Sequence, residues 1–458
     1  MVQENLGIIR GYAKDAYLKL FKDENGGVFA IGFGGRMLPR NKMEVFSMDI
    51  YEQITKMADE IAPELVAQRR DFHKFAEKGW FEMRTSSIIA RKLTEMGYEV
   101  LVGDQVCKKD ARMGVPSDEE LEEQYERAVA QGADPEFVKY TKGGMTGVIG
   151  ILRCGEGPTV AMRFDIDALG VFEEKDKSHR PACEGFGSVN EGFMHACGHD
   201  THTAMLLGAG KVLWAHKDEI AGTVRLMFQT SEEQSRGAEV MIENGGVEGA
   251  DAVFGTHIGT IIDKAIPTGT VVVTPGCCMA AFDKFVIRVN GRGCHGSTPE
   301  KGIDPVNIAA HIVIALQAIT TRELNATKPL VLTIGKIQGG SQYNVIPNEV
   351  VIEGTIRTLE EEVRQFAAKR IGEIAQATAA VFGGNVDYEM IWGAPPVIND
   401  DKMAALAAKA AKTVAGEDHV ITEVKAPNMG GEDFAYYLEK LPGAFMFLSS
   451  SNPAKGTD

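Results

Sequence analysis

The chain has 458 residues, long enough for two or three domains, with 44% apolar and 24% charged residues as in ordinary globular proteins. Its formal net charge of −16 argues against nucleic acid or an anionic membrane as the main partner. No apolar run reaches the length of a membrane span, and the seven cysteines lack the spacing of a disulfide scaffold. These features favour a cytoplasmic protein with free thiols.

Residues 1–47 differ from the rest of the chain. They are rich in glycine, lack the pattern of a secretory signal, and carry acidic residues that argue against a transit peptide. A regular helical spacing of apolar residues begins near Met48. We therefore expect residues 1–47 to be an appendage outside the core fold.

The middle of the chain alternates strands with helices. The predicted strands are Thr159–Phe164, Thr223–Gln229 and Ala252–Gly255, and a helix is predicted at Thr201–His216. Polar side chains follow the three strands: Asp165 and Asp167, Glu232 and Glu233, and His257. Open α/β sheets bind ligands at the carboxyl ends of their strands, so these side chains are expected to converge.

The order of the elements changes near residue 277. The elements predicted from there on follow the order β-α-β-β-α-β. In that order they are Phe282–Val289, Pro305–Glu323, Pro329–Ile337, Glu349–Thr355, Glu360–Phe382 and Asn385–Trp392. This order is the ferredoxin-like split pattern. The sequence predicts an α/β fold whose discontinuous catalytic domain, residues 48–276 and 393–458, is interrupted by an inserted ferredoxin-like domain, residues 277–392.

The densest group of potential metal ligands lies between Met194 and His202, with one thiol, three imidazoles and one carboxylate. Combined with the strand ends, it yields four candidate ligands of a divalent metal: Cys197, His199, Glu233 and His257. Glu232 is the candidate proton shuttle, and Asp167 is the candidate for orienting a ligand histidine. His195 and His202 are expected to support the site or pack rather than bind metal.

Each of these residues has a plainer interpretation when it is taken alone. A single cysteine is more often a small buried hydrophobe, a Glu-Glu pair is more often a solvated surface, and a histidine can be a satisfied core residue. The convergence of three strand ends on a His-rich segment is what favours the metal site.

Three residues of the inserted domain are further candidates. His295 could stabilise an oxyanion, and an ordinary loop histidine is an equally good interpretation. Asn344 and Arg357 lie in a polar strand region, where an arginine fork could hold a substrate carboxylate. For Arg357, the residues alone favour a surface salt bridge.

The motifs as a set resemble the amidohydrolase branch of the aminoacylase/carboxypeptidase metallopeptidase family. The resemblance runs from about Ile50 to Asp458 and rests on the Arg69–His73 and Arg163–Leu169 segments, the Met194–Thr203 run, Glu232-Glu233, Gly255–His257, His295-Gly296, Asn344–Pro347 and Gly430–Phe434. A narrower likeness, to the A-subunit type of p-aminobenzoyl-glutamate hydrolase, rests on Ser178–Pro181, Arg112–Pro116 and Gly143–Gly147.

This resemblance implies an amide hydrolase with two divalent metal ions per subunit. It implies Cys197, His199, Glu233 and His257 as ligands and Glu232 as general base. The thiolate ligand favours zinc by its softness, and the narrower likeness suggests manganese, so both metals stay open. The implied substrate is an N-acyl amino acid, p-aminobenzoyl-glutamate or a related aroyl-glutamate.

The resemblance also implies partners and roles for the inserted domain. This domain would act as a lid and would form a homodimer or hetero-oligomer. His295 would then act in the active site of a partner subunit, with Asn344 and Arg357 near the substrate carboxylate.

One departure from the family pattern lies near the carboxyl end. The family carries a last metal-ligand histidine after the Gly-Glu-Asp motif, and no histidine follows His419 in this chain. We therefore expect a truncated carboxyl end that lacks a final strand and helix. Two alternatives remain open: a non-catalytic or truncated partner subunit of such a hydrolase, and a dipeptidase of the same fold.

Overall fold

The computed structural model describes residues 43–234, 236–260, 262–424 and 426–455. These residues form two compact units. The main unit comprises the described residues within 1–276, 398–425 and 436–458, and the inserted unit comprises 277–397 and 426–435. Most of the predicted appendage, residues 1–42, lies outside the described residues. Residues 393–397 and 426–435, which the sequence pattern assigned to the catalytic domain, group with the inserted unit.

The main unit begins with two helices, α1 (Met43–Lys74) and α2 (Met83–Met96). α1 buries Ile54, Ala58 and Leu65, as their helical spacing predicts. α2 ends where a glycine cap is expected, because Gly97 adopts the left-handed conformation at φ 97° and its N–H bonds to the last turn.

The helix in the charged segment that follows is α3 (Asp118–Ala130). The Oγ of Ser117 accepts the backbone N–H of Glu120, and the Glu120 carboxylate accepts the N–H of Ser117 in return. This reciprocal capping box fixes the start of the helix.

An eight-stranded mixed sheet forms the centre of the main unit. Its strands are β1 (Glu99–Val102), β2 (Val148–Arg153), β3 (Thr159–Asp165), β4 (Thr223–Gln229), β5 (Ala252–Gly259), β6 (Val271–Val272), β15 (Val420–Ile421) and β16 (Gly443–Ser449). They are arranged in the order β1-β2-β4-β3-β5-β16-β6-β15. β4, β3, β5 and β16 run parallel as neighbours, so their carboxyl ends meet at one edge. The α/β prediction for this unit is confirmed.

The remaining helices of the main unit are α4 (Arg180–Glu184), α5 (His199–Ala215), α6 (Gly237–Glu243), α9 (Asp401–Ala415) and α10 (Ala435–Leu438), the last of which begins at the boundary with the inserted unit. α5 is buried nearly all round, which explains its continuous run of small and apolar residues. It starts at His199 because Gly198 adopts φ 107° and turns the chain directly after Cys197.

The inserted unit is built on a four-stranded antiparallel sheet. Its strands are β8 (Ala281–Asn290), β10 (Leu330–Gly339), β12 (Glu349–Thr358) and β13 (Asn385–Trp392), arranged in the order β10-β12-β8-β13. Two helices, α7 (Pro305–Ala318) and α8 (Glu361–Val381), share one apolar core with the sheet. This strand order and connectivity confirm the predicted βαββαβ ferredoxin-like fold.

The other strands are short. A two-stranded ribbon of the inserted unit pairs β9 (Cys294–His295) with β11 (Val345–Ile346). β7 (Gly276–Met279) and β14 (Val397–Asn399) lie where the chain passes between the units. A π-helical turn follows α7 at Ile319–Glu323. None of the helices that the structure describes has the length and apolar character of a membrane span.

Candidate metal centre

The parallel strands bring the predicted polar residues to one edge of the central sheet. Asp165 ends β3 level with Gln229 at the end of β4, and Glu232 and Glu233 follow three and four residues later. His257 lies within β5, not beyond it, because this strand continues to Gly259. The start of α5 adds Cys197 and His199 from the same side of the fold.

Three groups of potential ligand atoms meet here, with the atoms of each group lying within 4.8 Å of one another. The groups are Cys197, His199 and His257; His199, Glu232 and Glu233; and Asp165, His199 and His202. His199 belongs to all three. The structure therefore brings together the four candidate ligands and the candidate proton shuttle that the sequence singled out.

His257 is held in a state suited to ligation. Its Nδ1 lies 2.6 Å from the carbonyl oxygen of Ile258, which can only accept, so the hydrogen resides on Nδ1. The lone pair of Nε2 then points toward Cys197, whose Sγ lies 3.3 Å away. A ring nitrogen fixed this way by a backbone carbonyl is typical of metal-binding histidines.

His199 and Glu233 carry buried polar atoms that lack hydrogen-bond partners among the described residues. These atoms are both ring nitrogens of His199 and the Oε1 of Glu233. His199 Nε2 lies 3.9 Å from this oxygen, and its Nδ1 lies 3.4 Å from Asp167 Oδ1. Buried polar atoms without partners cost free energy, and a cation between the ring and the carboxylate would satisfy both. The donor set therefore fits a divalent metal.

His202 differs from its neighbours because both of its ring nitrogens are engaged. Nε2 accepts the backbone N–H of Ile258 at 2.9 Å, so Nδ1 carries the hydrogen and donates to Asp165 Oδ1 at 2.5 Å. Burial holds the pKa of His202 below its ordinary value. This histidine is a neutral support that fixes Asp165 rather than a free ligand.

Asp167 acts on the backbone of the glutamate pair. Its two carboxylate oxygens accept the N–H groups of Glu232 and Glu233 at 3.1 and 3.0 Å. The sequence suggested it as the residue that orients a ligand histidine, and it also lies 3.4 Å from His199 Nδ1. One buried carboxylate thus touches both the glutamate turn and the ring that all three groups share.

Burial and the neighbouring charges shift the pKa values of the carboxyl groups at this site in opposite directions. Burial alone would raise the pKa of Asp165, but His199, His202 and Arg163 hold it well below its ordinary value. Burial raises the pKa of the Glu233 carboxyl to about 6, with Asp167 adding to the effect and His199 opposing it. A metal ion beside Glu233 would favour the ionised carboxylate, which is the form that binds metal.

A second buried network of hydrogen bonds is centred on Asp200, the residue after His199. Asp200 accepts from Arg69 Nε and His73 Nδ1, each at 2.8 Å, and His73 Nε2 contacts Glu173 Oε1 at 2.9 Å. Because carboxylates face both of its ring nitrogens, His73 is held as an imidazolium; its pKa is raised although burial opposes the charge. The residues alone did not reveal this network, which fixes the first turn of α5.

Residues 161–457 match the sequence profile of Peptidase family M20/M25/M40. This span is more than half of the chain. The chain belongs to this family. As an M20 protein with this donor set, it is a metal-dependent amidohydrolase.

Similar proteins agree with this assignment. The chain is 36% identical over 392 residues to the A-type subunit of the p-aminobenzoyl-glutamate hydrolase of Escherichia coli (strain K12), covering 85% of this chain and 88% of the relative. It is 42% identical over 295 residues to N-acetyl-L-cysteine deacetylase of Bacillus subtilis (strain 168), covering 64% and 67%. The crystal structure of a dinuclear metal-binding M20 peptidase from Bacillus subtilis matches with a TM-score of 0.65 and 31% identity, covering 85% and 89%.

The inserted unit of this M20 chain places two of its three candidate residues together. His295 pairs with Val345 in the short ribbon, and the N–H of Gly296 bonds to the Asn344 carbonyl oxygen at 2.8 Å. The exposed His295 accepts the N–H of Ser297 at Nδ1, so its Nε2 carries the hydrogen of the neutral ring. The Nε2–H is therefore available as a donor.

Arg357 lies far from this pair. It sits near the end of β12 opposite Phe282, whereas the ribbon adjoins the other end, where Glu349 pairs with Asn290. From Glu349 to Arg357 the strand runs about 26 Å at the usual rise per residue. Within one inserted unit, His295 and Arg357 do not converge.

Arg357 is half-buried and makes no ion pair among the residues that the structure describes. Its Nη1 donates to Thr355 Oγ1 at 2.5 Å and to the Ile356 carbonyl oxygen at 3.2 Å. The surface salt bridge favoured by the residues alone is therefore absent here, and part of the guanidinium fork is left for another acceptor.

Proposed function

We propose that this M20 enzyme hydrolyses the amide bond of an N-acyl amino acid, with p-aminobenzoyl-glutamate or a related aroyl-glutamate as substrate. The observation that carries the hydrolytic part is the convergence of one thiol, one further imidazole and two carboxylates around the buried His199. The aroyl-glutamate part is supported by the similarity to the p-aminobenzoyl-glutamate hydrolase of Escherichia coli over most of both chains.

We propose Cys197, His199, Glu233 and His257 as residues that hold two divalent ions, manganese or zinc. Their support is the Nε2 of His257, which is directed at Cys197 Sγ, and the unpartnered atoms of His199 and Glu233 among the described residues. When bound, such ions lower the pKa of water and polarise a carbonyl oxygen. The Cys197 thiolate favours zinc and the Glu233 carboxylate suits manganese, so the choice of metal is a matter for measurement.

Glu232 is proposed as the general base. Its backbone is fixed by Asp167, and its side chain lies in the same group as His199 and Glu233. In the proposed step, Glu232 takes a proton from the attacking water. It then delivers this proton to the nitrogen of the departing amino acid as the amide C–N bond breaks.

The substrate carboxylates require a cation or several donors. We propose that Arg357 holds one carboxylate through its free guanidinium N–H groups. We propose that Asn344, which lies next to the ribbon that carries His295, adds an amide donor. His295 would donate its Nε2–H to the carbonyl oxygen as negative charge develops there. Because His295 and Arg357 lie at opposite ends of the sheet, we propose that they serve different active sites of a dimer formed through the inserted unit.

Replacing Glu232 by glutamine tests the catalytic role. Glu232→Gln keeps the size of the side chain and removes the base, so kcat should fall by about 10²–10⁴-fold while metal content stays unchanged. The matched control is Glu156→Gln, an exposed glutamate in the loop between β2 and β3, which should retain full activity. Turnover at the wild-type rate by Glu232→Gln would rule out this role.

A second candidate substrate class is N-acetylated cysteine, because the deacetylase relative has the higher identity of the two, over a shorter span. A panel of p-aminobenzoyl-glutamate, N-acetylcysteine and simple dipeptides compares the classes directly. The aroyl-glutamate should show the highest kcat/KM. A higher value for N-acetylcysteine or for the dipeptides would assign the enzyme to that class instead.

The variant Arg357→Ala tests whether this arginine binds a carboxylate of the substrate. If Arg357 binds a carboxylate, the variant should lose about 10–10²-fold in kcat/KM toward p-aminobenzoyl-glutamate. A substrate analogue in which the glutamate carboxyl groups are converted to amides should be affected far less. Equal losses for both compounds would argue against carboxylate binding by Arg357.

We also propose a cytoplasmic location. All seven cysteines are described by the structure and all are free, including the exposed Cys183. Free thiols persist in a reducing compartment.

A further inference from the structure

A buried carboxyl outside the proposed ligand set lies beneath the glutamate turn. Glu82 immediately precedes α2, and its side chain is fully inaccessible to solvent. One carboxyl oxygen lies 2.7 Å from the hydroxyl of Thr146, and the other lies 2.8 Å from the hydroxyl of Thr230 and accepts the backbone N–H of Ser231 at 2.8 Å. These contacts tie the start of α2 to the end of β4, where the turn begins.

The four oxygens of this group close a ring. Thr146 Oγ1 and Thr230 Oγ1 also lie 2.7 Å apart, so three short oxygen–oxygen contacts link the two hydroxyls and the two oxygens of Glu82. Two hydroxyl hydrogens can fill only two of these contacts, and a protonated Glu82 supplies the third. Burial and the nearby Asp167 agree with this count, since they raise the pKa of Glu82 to about 8.

The residue that Glu82 holds is conformationally unusual. Ser231 adopts φ 51°, a left-handed backbone conformation that non-glycine residues rarely take because it is strained. Such a conformation persists where its surroundings determine it. Here Glu82 binds the N–H of Ser231, and Asp167 binds the next two N–H groups, those of Glu232 and Glu233.

We propose that Glu82 is a positioning residue that holds the Thr230–Ser231 turn and thereby aims Glu232 at the substrate and Glu233 at the metal. The inference rests on the proposed function, since it concerns how these two side chains perform it. Without the anchor, Ser231 can relax to an ordinary backbone conformation. The pair of glutamates would then rotate away from His199 even though neither has changed.

Two substitutions of Glu82 and one matched control test this role. Glu82→Ala removes the anchor. Glu82→Gln keeps it, because its carbonyl oxygen can accept from Ser231 and Thr230 while its amide donates to Thr146. Leu93→Ala is the control, because Leu93 is fully buried on the same helix and its loss weakens packing without touching the turn.

The measurements are kcat and KM with p-aminobenzoyl-glutamate at saturating metal, and Mn²⁺ binding to metal-free protein by titration calorimetry. For Glu82→Ala we expect kcat to fall about 10²-fold with KM changed less than about threefold. Mn²⁺ affinity should fall about 10-fold or more. Glu82→Gln should recover kcat to within about 10-fold of the wild-type value, and Leu93→Ala should keep both kcat and Mn²⁺ affinity.

Wild-type kcat in folded Glu82→Ala, or a Glu82→Gln variant as impaired as Glu82→Ala, would overturn the proposal. So would an equal fall of kcat in Leu93→Ala at matched stability, since that result would indicate a general loss of folding. If Glu82→Ala does not fold, Thr230→Val removes two of the three contacts of the ring at nearly constant volume. An unchanged kcat and Mn²⁺ affinity in Thr230→Val would then overturn the proposal.

Failure of the proposed function gives a different result. In that case wild-type protein would not hydrolyse acyl amino acids, or Glu232→Gln would remain active. The Mn²⁺ affinities would still report whether Glu82 positions Glu233. If Glu232→Gln is inactive and Glu82→Ala is fully active, only the role of Glu82 is wrong.

Discussion

At the scale of single residues, hydrogen bonds decide which histidine can bind metal. His202 and His257 lie side by side, with ring centroids 4.7 Å apart, and both contact the backbone of Ile258. Ile258 gives its N–H to His202 and its carbonyl oxygen to His257. The first contact occupies the lone pair of His202 with a backbone donor, and the second leaves the Nε2 lone pair of His257 directed at Cys197 Sγ, another candidate ligand.

This difference predicts opposite effects on metal content. His257→Ala should lower the metal bound per chain from about two ions to about one, since it removes a ligand. His202→Ala should keep about two ions and lower the melting temperature, because Asp165 loses a buried partner. Metal analysis of dialysed protein together with a thermal melt measures both quantities. Full metal content in His257→Ala would contradict its assignment as a ligand.

At the scale of elements, one ion pair joins a strand of the inserted unit to a helix. Asp283 on β8 accepts two hydrogen bonds from Arg364 on α8, at 2.8 and 2.6 Å, and a third from the N–H of Gly393 at 2.9 Å. Both side chains are buried. Removing one partner of such a pair leaves the other charge buried without compensation.

Asp283→Ala should therefore lower the free energy of unfolding by about 3–5 kcal/mol in urea denaturation. The comparison is Glu60→Gln on α1, which removes an exposed pair with Lys56 at 4.0 Å and should cost less than about 1 kcal/mol. Equal costs for the two substitutions would show that burial does not set the strength of the Asp283 pair.

At the scale of the whole molecule, the proposed dimer makes a prediction that a monomer cannot share. If His295 serves the site of the partner subunit, mixing Glu232→Gln with His295→Ala yields heterodimers with one intact site and one doubly impaired site. Random exchange should restore about a quarter of the wild-type activity. Each variant alone should remain nearly inactive.

The matched experiment mixes Glu232→Gln with Arg357→Ala. If Arg357 serves the site of its own chain, every site in this mixture carries one defect and no activity returns. Restoration in both mixtures would place Arg357 in the partner's site as well. Restoration in neither mixture would argue against the shared site.

Local sequence predicted much of the secondary structure, because apolar spacing marks α1, α5, the strands β3 and β4, and the four-stranded sheet of the inserted unit; β1 and β16 were not predicted. It predicted the end of β5 wrongly, at Gly255 instead of Gly259. The extra residues of β5 pair with β16, nearly two hundred residues later in the chain, and no local pattern indicates that partner. The short strands β6, β9, β11 and β15 escaped prediction because two residues carry no periodicity.

The same limit applies to the candidate site, where local sequence reveals residue types but not partners far along the chain. Cys197, His199 and Glu233 could be proposed from sequence because metals select a few residue types near strand ends. Glu82 and the His73–Asp200 contact could not, because their meaning lies in a partner far along the chain and in complete burial. A glutamate at the start of a helix looks like an ordinary polar cap until the structure shows what surrounds it.

The pairing of β5 with β16 also bears on biosynthesis. His257 lies directly beside Phe447, so the strand that carries it acquires its second neighbour only when residues 443–449 have been made. Chains grow from the amino terminus and fold in that order. Cys197, His199 and Glu233 thus leave the ribosome well before the strand carrying His257 can pair with β16. We expect the nascent polypeptide to remain a poor competitor for cellular metal until synthesis of β16 is complete.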